Sequence, residues 1–322
     1  MSPEERRSIT NAIWLCAYHA DVVDRDEVTY STEKLHAMKR EHEARWGEMV
    51  RSGQGHDLGA GLLAIGPHVV FSGDIQQIAA ASWTLRLKHF LVGDLHDIVS
   101  FIDGFAALGA ANRYVLSNEL GDGRVLSSAP TLIKRDYGYL LQCSVAAAYP
   151  RVPVQELGSG MALHPVTRDL YVGEKGSIAR LSGLDYFPQH VETALSLQRG
   201  ESPFHPHAGI RFFEYFEEYR ESSWLPLLMM LDVVREAAIP FSDDVLKKQY
   251  MQLRCIKRVH GFELLSEVPV DHRLPVRVDF DVVGVGRWQR DLSIHMPTRE
   301  QMDRQAKLRA DMAPLLTGAP PK

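Results

Sequence analysis

The chain has 322 residues, of which 45% are hydrophobic and 24% are charged, and its formal net charge is −5. This composition is that of an ordinary globular protein with one large domain or two modest ones. The acidic balance argues against a strong sequence-independent hold on phosphate backbones, which requires clustered Lys and Arg, although net charge does not exclude a local basic groove.

The apolar runs and the cysteines predict the compartment. The longest apolar run, residues 224–239, is interrupted by charged side chains and is too short to span a bilayer. The N-terminus is charged and lacks the apolar core of a signal peptide. The three cysteines are odd in number and far apart, which argues against a disulfide framework. We therefore predict a cytoplasmic protein with no membrane partner.

Residues 1–52 are predicted to form a first unit. Residues 13–16 have the apolar character of a short buried strand, and a helix is expected to begin at Ser31 or Thr32, either of which can cap it. Glycines at positions 53 and 55 favour a linker, so residues 53–322 are predicted to form a second, larger domain. The predicted helix has its apolar residues on one stripe, at Leu35, Met38, Trp46, Met49 and Val50.

The larger domain begins with strands and hairpins. Gly121-Asp122-Gly123 lies between two apolar runs and predicts a hairpin turn, because glycine tolerates positive φ. The other elements predicted in this part are a helix at 94–108 and strands at 68–71, 82–91, 113–118, 124–128, 131–134 and 139–146.

Helices follow, and the chain then returns to strands. Three helices are predicted: residues 187–198 with Pro188 in the first turn, residues 210–219, and residues 224–238 capped by Ser223. Later strands are predicted at 252–259, 262–268, 276–283 and 288–295, followed by a helix from Thr298. Runs of strands and runs of helices predict an α+β fold with a mixed, mainly antiparallel sheet. A break near residues 150–185 would divide this domain into two subdomains.

The N-terminal unit contains the most specific chemical pattern of the chain. Asn11 is followed by Leu15-Cys16 and by His19, then by an acidic turn and a charged helix with Lys39-Arg-Glu-His42-Glu43. This pattern resembles the HNH endonucleases of the ββα-metal class over roughly the first fifty residues. Family members usually have Asn-(x)3-Leu-Cys-x-x-Cys-His, and many pair this Cys-x-x-Cys with an upstream one to hold a structural zinc.

The resemblance implies roles for three residues. Asn11 matches the asparagine that orients the catalytic histidine, Cys16 matches a zinc thiolate, and His19 replaces the second thiolate with another zinc-binding group. Asn11 and His19 are thus the candidate catalytic residues, and Cys16 and His19 the candidate metal ligands. The implied cofactor is a structural Zn²⁺ or a divalent metal such as Mg²⁺, and the implied partner is DNA.

This chain departs from the family pattern at two places. The family's final histidine, a ligand of the catalytic metal, falls on Ala20, and the strand with the general-base histidine would precede Met1. Three interpretations remain open: a metal-free structural segment, a relic that packs without hydrolysis, or a complete nuclease whose true start lies upstream. In the last case, metal-activated water would attack the phosphodiester.

Other candidate sites in the larger domain favour structural interpretations. His205-Pro-His207 near Glu201 could bind a metal, but Pro206 extends the chain, so the segment is predicted to be a polar loop. Asp279 and Asp281 share a strand face that could hold a cation, but their alternation with apolar residues predicts a solvated face.

Two further features are predicted to be structural. Gly173-Glu-Lys-Gly176 lacks the Gly-Lys-Ser/Thr ending of a phosphate loop and predicts a hairpin turn. Cys143 and Cys255 lie in apolar strands and are predicted to be inert core residues.

Two hypotheses for function follow. The first is an HNH-nuclease-related protein of a prokaryotic defence or mobile-element system, with an incomplete catalytic module and a sensing or partner-binding domain at 53–322; this setting comes from the family resemblance. The second is a non-catalytic interaction or assembly protein in which the N-terminal unit only packs. The order of a helix, Arg199-Gly-Glu201 and late hairpins is similar to lysozyme-like wedge proteins of contractile-tail baseplates, which would fit this second class.

Overall fold

The computed structural model describes residues 13, 23–26, 29–52, 61–136, 138–164, 167–173, 176–202, 208–243 and 248–317. The chain divides into two compact units, Met1–Asp57 and Leu58–Lys322. Each unit is described by itself.

The described part of the first unit is dominated by helix α1 (Thr32–Ser52). The Ser31 hydroxyl accepts a hydrogen bond from Lys34 N at 3.4 Å, and the Ser31 carbonyl accepts one from Leu35 N at 2.9 Å. The predicted start of the helix is therefore confirmed, with Ser31 as its cap. Met38, predicted on the apolar stripe, is 49% exposed.

The second unit begins with a seven-stranded antiparallel sheet. Its strand order is β5-β4-β1-β2-β3-β7-β6. Strand β3 has buried Trp83, Leu85 and Leu87 alternating with more exposed residues, as expected of a sheet with one wet face. The elements of this part are β1 (Leu62–Ile65), β2 (Val69–Ala79), β3 (Ser82–Val92), α2 (Leu95–Asp103), β4 (Tyr114–Ser117), β5 (Asp122–Val125), β6 (Thr131–Arg135) and β7 (Gly138–Ser144).

This sheet closes on itself into a small barrel. Just beyond β5 and β7, Leu126 pairs with Val145, and hydrogen bonds of 3.0 and 2.8 Å flank that pair. The inward-facing residues of the strands form one buried apolar cluster, against which Ile98 and Phe101 of α2 pack. The barrel interior is thus filled by side chains, as expected for a barrel of this size.

The second half of the unit adds helices and smaller sheets. Strands β12, β13 and β14 form a three-stranded antiparallel meander, while β8 pairs with β9 and β10 with β11. The elements are β8 (Ser159–Met161), β9 (Arg180–Ser182), α3 (Gly183–Ala194), α4 (Phe212–Tyr219), α5 (Leu225–Ala238), β10 (Phe241–Asp243), β11 (Lys248–Tyr250), β12 (Ile256–Leu264), β13 (Arg273–Val282), β14 (Gly286–His295) and α6 (Arg299–Thr317).

Helix α5 is the centre of the main core. It packs against the outer face of the barrel and against β12, and nearly all of its residues are buried. One apolar cluster joins outward-facing barrel residues such as Tyr114 and Leu116 to α5 and to Val278 and Phe280 of β13. A helix buried on every side needs apolar residues all round, which accounts for the sequence Leu225–Leu231.

Three charged residues of α5 are nevertheless buried: Asp232, Arg235 and Glu236. The Asp232 carboxylate accepts a hydrogen bond from the backbone N–H of Arg211, and Arg235 donates to the Gly209 carbonyl and to Glu236. Burial raises the pKa of the Glu236 carboxyl, which Arg235 opposes. The charged residues that interrupt the apolar run therefore connect α5 to the segment that leads into α4.

The α+β prediction is confirmed by this mixture of helices and mainly antiparallel sheets. Some details of the predicted elements were wrong. Helix α3 begins at Gly183, so Pro188 lies inside the helix rather than in its first turn. Strand β12 runs through Gly261, where a bulge absorbs the irregularity, instead of breaking there into two strands.

The start of α5 also differs from the prediction: its N-cap residue is Trp224, with no side-chain cap hydrogen bond. The Ser222 hydroxyl accepts a hydrogen bond from Trp224 N at 3.2 Å just before the helix. Within the described part of the chain, no helix is both long enough and apolar enough to cross a membrane.

Candidate functional site

The residues that carry the nuclease resemblance lie outside the described part of the chain. This holds for Asn11, Cys16 and His19, and for Ala20 at the position of the missing ligand. Their predicted roles remain predictions.

The loop that was weighed as a metal site and predicted to be a polar loop is described only at its beginning. His205 and His207 lie outside the described residues, but Glu201 is described. Its carboxylate accepts hydrogen bonds from Gln198 N at 2.9 Å and from Gln305 Nε2 at 3.0 Å. Glu201 therefore closes a turn and holds α6. Within the described residues, no group of three or more His, Cys, Asp or Glu is arranged to hold a metal ion.

The paired aspartates of β13 lie on a solvated face, as predicted. Arg287 donates to Asp279 at 2.6 Å, and this hydrogen bond holds the pKa of the Asp279 carboxyl below its usual value. Lys257 lies 3.9 Å from Asp281. Each carboxylate thus has a cationic neighbour on the sheet, which leaves little reason for a bound cation.

Two other structural predictions are confirmed. Gly173 N donates to Ser177 O at 2.8 Å beside the Val172–Ile178 pair, so this segment is a hairpin end. Cys143 and Cys255 are buried, and burial raises the pKa of their thiols to about 12 and about 11, respectively. Neither thiol is a thiolate at neutral pH, so both are poor nucleophiles.

A cleft of about 520 Å³ is the strongest candidate site. One wall belongs to residues 159–182, which comprise β8, β9 and the segment that connects them, and which we call the arm. The opposite wall is the turn that leads into β13. The lining residues are Thr167 and Arg168 from the arm, and Val270, Asp271, Arg273, Pro275 and Ser293 from the sheet.

Two guanidinium groups meet at this cleft. Arg168 donates to both carboxylate oxygens of Glu192, at 2.5 and 3.2 Å, and Arg273 donates to the Ser293 carbonyl. Burial lowers the pKa of Arg273, the positive charge of Arg168 lowers it further, and Glu192 acts in the opposite direction. Glu192 pairs directly with Arg168 and acts on Arg273 only through its charge, so a further anion in the cleft would be stabilised by Arg273.

The backbone around the cleft is strained. Among the described non-glycine residues, positive φ occurs at Arg168 (62°), Asp271 (49°) and His272 (59°). Asp271 and His272 are the two central residues of a hairpin turn closed by Val270 and Arg273, at hydrogen bonds of 2.8 and 2.9 Å. Such turns normally contain Asn-Gly, because both positions need positive φ. Strain of this kind costs about 1–3 kcal/mol per residue and clusters at functional sites.

Exposed apolar side chains include Val270, which lines the cleft, and residues that lie a few positions from other lining residues along the chain. On the arm, Val172 is 66% exposed and Leu170 is 50% exposed; on the turn side, Val270 is 64% exposed. We call Leu170, Tyr171, Val172, Val268 and Val270 the arm surface, all of which are exposed. Grouped apolar residues of this kind mark interaction sites more often than isolated ones do.

A second cleft, of about 310 Å³, contains two histidines but no activated nucleophile. Burial lowers the pKa of His190 and of His295, so both are neutral at pH 7. The Ser196 hydroxyl donates to the Glu192 carbonyl at 2.6 Å and accepts from His295 N at 3.0 Å. Because its proton is given to a backbone carbonyl, this serine is a structural link and not a catalytic one.

Sequence reasoning did not find the arm cleft. Arg168 and Arg273 are far apart in the chain, and the fold alone brings them together. One local signal was present: Asp271-His272 stands where a hairpin turn would favour Asn-Gly, beside the exposed Val270.

Comparisons of the chain with protein-family models, with curated proteins and with solved structures found no match.

Proposed function

We propose that residues 58–322 form a protein-interaction module that assembles with a second copy of this chain through the arm surface. The observation that supports the proposal most strongly is the coincidence of exposed apolar residues, strained backbone and a cationic cleft at one place.

The charges of this surface favour a copy of the same chain as the partner. A twofold interface places one patch against itself, so the patch must be self-complementary. The arm cleft has both signs of charge: Arg273 and the exposed Asp271 both line it, and exposed Asp169 follows the lining residue Arg168 in the chain. A carboxylate of one copy can therefore meet the guanidinium of the other, while the apolar residues lose contact with water.

Sedimentation of the purified chain over a range of concentrations tests this proposal. We expect a monomer–dimer equilibrium, and we expect Val172→Asp or Val270→Asp to raise its Kd by at least roughly tenfold, because a buried valine contributes about 1.5–3 kcal/mol and the new charge must be desolvated. Ile78→Asp is the control, since Ile78 is 51% exposed on β2 of the barrel. A chain that stays monomeric up to about 0.1 mM, or equal effects of all three variants, would contradict the proposal.

The second candidate function is that of an HNH-nuclease-related protein whose first unit no longer hydrolyses nucleic acid. The pattern of Asn11, Cys16 and His19 supports it, together with Ala20 at the ligand position. The prokaryotic defence or mobile-element setting belongs to this candidate and rests on the family resemblance alone.

Metal content and plasmid nicking test this second candidate. We expect no cleavage of supercoiled plasmid with Mg²⁺ or Mn²⁺, because the hydrolytic metal would lack a ligand. Bound zinc that is lost in Cys16→Ser, but kept in the control His36→Ala, would support the half-site. Robust cleavage that disappears in His19→Ala would overturn the relic and indicate an active nuclease; absence of zinc in every sample would refute the half-site.

A further inference from the structure

The outer face of the barrel has an unbalanced cationic region on strands β3, β7 and β6. The register places Arg86 beside Leu140 and Arg135 beside Gly138, and Lys88 lines the same cleft as Gly138. Residues paired across antiparallel strands lie on the same face, and residues two apart on a strand do as well. Arg86, Lys88 and Arg135 therefore share one face.

A single carboxylate on this face, Asp74, serves two of the cations. Arg86 donates to Asp74 Oδ2 and Lys88 donates to Asp74 Oδ1 at 2.7 Å. Asp74 is paired with Arg86 across β2 and β3. Arg135 is exposed and has no ion-pair partner among the described residues. Three cations thus face one anion.

The wet face of the three-stranded sheet provides an internal comparison. There three cations each lie within ion-pair distance of a different carboxylate: Arg277 pairs with Asp291 at 2.7 Å, Arg287 with Asp279 at 2.6 Å, and Lys257 with Asp281 at 3.9 Å. A balanced face of this kind is what stabilisation by cross-strand pairs requires. The barrel face differs, because carboxylates of the described sheet do not balance its excess of positive charge.

The row of Arg86 on this face continues with the apolar residues Leu140 and Ile133. The next row along the same face consists of Thr84, Gln142 and Thr131. A cleft of about 360 Å³ opens beside Arg86, Lys88 and Gly138. Lysine, arginine, threonine and glutamine are the side chains that bind phosphate oxygens in nucleic-acid complexes.

We propose that this barrel face binds the phosphodiester backbone of nucleic acid without reading its sequence. The three cations replace condensed counterions along the backbone, and the neutral row supplies hydrogen bonds to phosphate oxygens. The surface is separate from the arm cleft, so the proposal does not depend on self-association.

Fluorescence anisotropy with a labelled DNA duplex of about 20 base pairs tests this proposal on the full chain. We expect weak binding at low salt, with a Kd of about 10⁻⁴ to 10⁻⁶ M and a steep loss as salt rises. The triple variant Arg86→Gln, Lys88→Gln, Arg135→Gln should weaken binding at least roughly tenfold and reduce the slope of log K against log salt by about 2–3.

The matched control removes the same number of charges from the balanced sheet face, as Arg277→Gln, Arg287→Gln, Lys257→Gln. This variant should leave the slope unchanged. Absence of binding at low salt would overturn the proposal, and so would an equal loss of slope in both triple variants. Circular dichroism of each variant ensures that a loss of binding is not a loss of fold.

Discussion

Replacing Asp232 with alanine is expected to lower the free energy of unfolding by about 3–5 kcal/mol. Asp232 is buried on α5, and its carboxylate lies 3.8 Å from the guanidinium nitrogens of both Arg211 and Arg235. Without it, two buried cations lose their shared anion and the Arg211 N–H loses its acceptor. Removing one partner of a buried ion pair is costly, because the remaining charge cannot be hydrated.

Urea unfolding followed by tryptophan fluorescence measures this loss. Asp291→Ala is the matched control, because Asp291 also pairs with an arginine but is 56% exposed. An exposed pair contributes only about 0.2–1 kcal/mol, so the control should change stability little. A similar small change in both variants would show that water reaches Arg211 and Arg235, and that the cluster does not hold the core as we describe.

The contribution of Asp232 could not be read from the sequence. In the sequence, Asp232 is a charged residue that interrupts an apolar run, and such a residue is expected to be solvated. What buries it is distant: Arg211 also donates to the carbonyl of Pro67, 144 residues away in the chain. A network of this kind exists only once the barrel, α4 and α5 have packed together, so no local pattern predicts it.

Sequence patterns did predict the features that depend only on residues close together in the chain. Strand β13 alternates Val276, Val278 and Phe280 with charged residues, and the structure buries the apolar set while leaving the other partly exposed. Such alternation depends only on the two-residue repeat of a strand. By contrast, closure of the barrel depends on the pairing of Leu126 with Val145, which belongs to two separate hairpins. The sequence contains no periodicity that reports it.

The arm cleft could not be predicted from the sequence for the same reason. Its walls come from segments that are distant in sequence, and its cationic character depends on Arg168 and Arg273 being brought together beside Glu192. The exposure of Val172 and Val270 is also a property of the fold, because an apolar residue in a sequence is by default expected in the core. Sequence reasoning therefore assigned these residues no role.

Replacing Gly121 with alanine is expected to lower the free energy of unfolding by about 3–5 kcal/mol. Gly121 has φ +56°, and an added Cβ would lie 1.8 Å from the carbonyl oxygen of Val259. Val259 N donates to the Gly121 carbonyl at 2.9 Å, so two backbones meet here and join the β4–β5 turn to β12. No side-chain rotation can relieve a clash between backbone atoms, and the two sheets must separate.

The control for this substitution is Gly183→Ala, which isolates the conformational part of the effect. Gly183 has φ +54°, but the nearest atom to its added Cβ would be Gln155 Cα at 3.8 Å, an ordinary contact. Gly183→Ala should lower the free energy of unfolding by about 1–2 kcal/mol, which is the cost of a left-handed conformation for an L-residue. The difference between the two variants in urea unfolding therefore measures the close approach of the turn to Val259. If the two losses were equal, the contact between the β4–β5 turn and β12 would contribute nothing to stability, and the predicted role of Gly121 would reduce to that of an ordinary turn glycine.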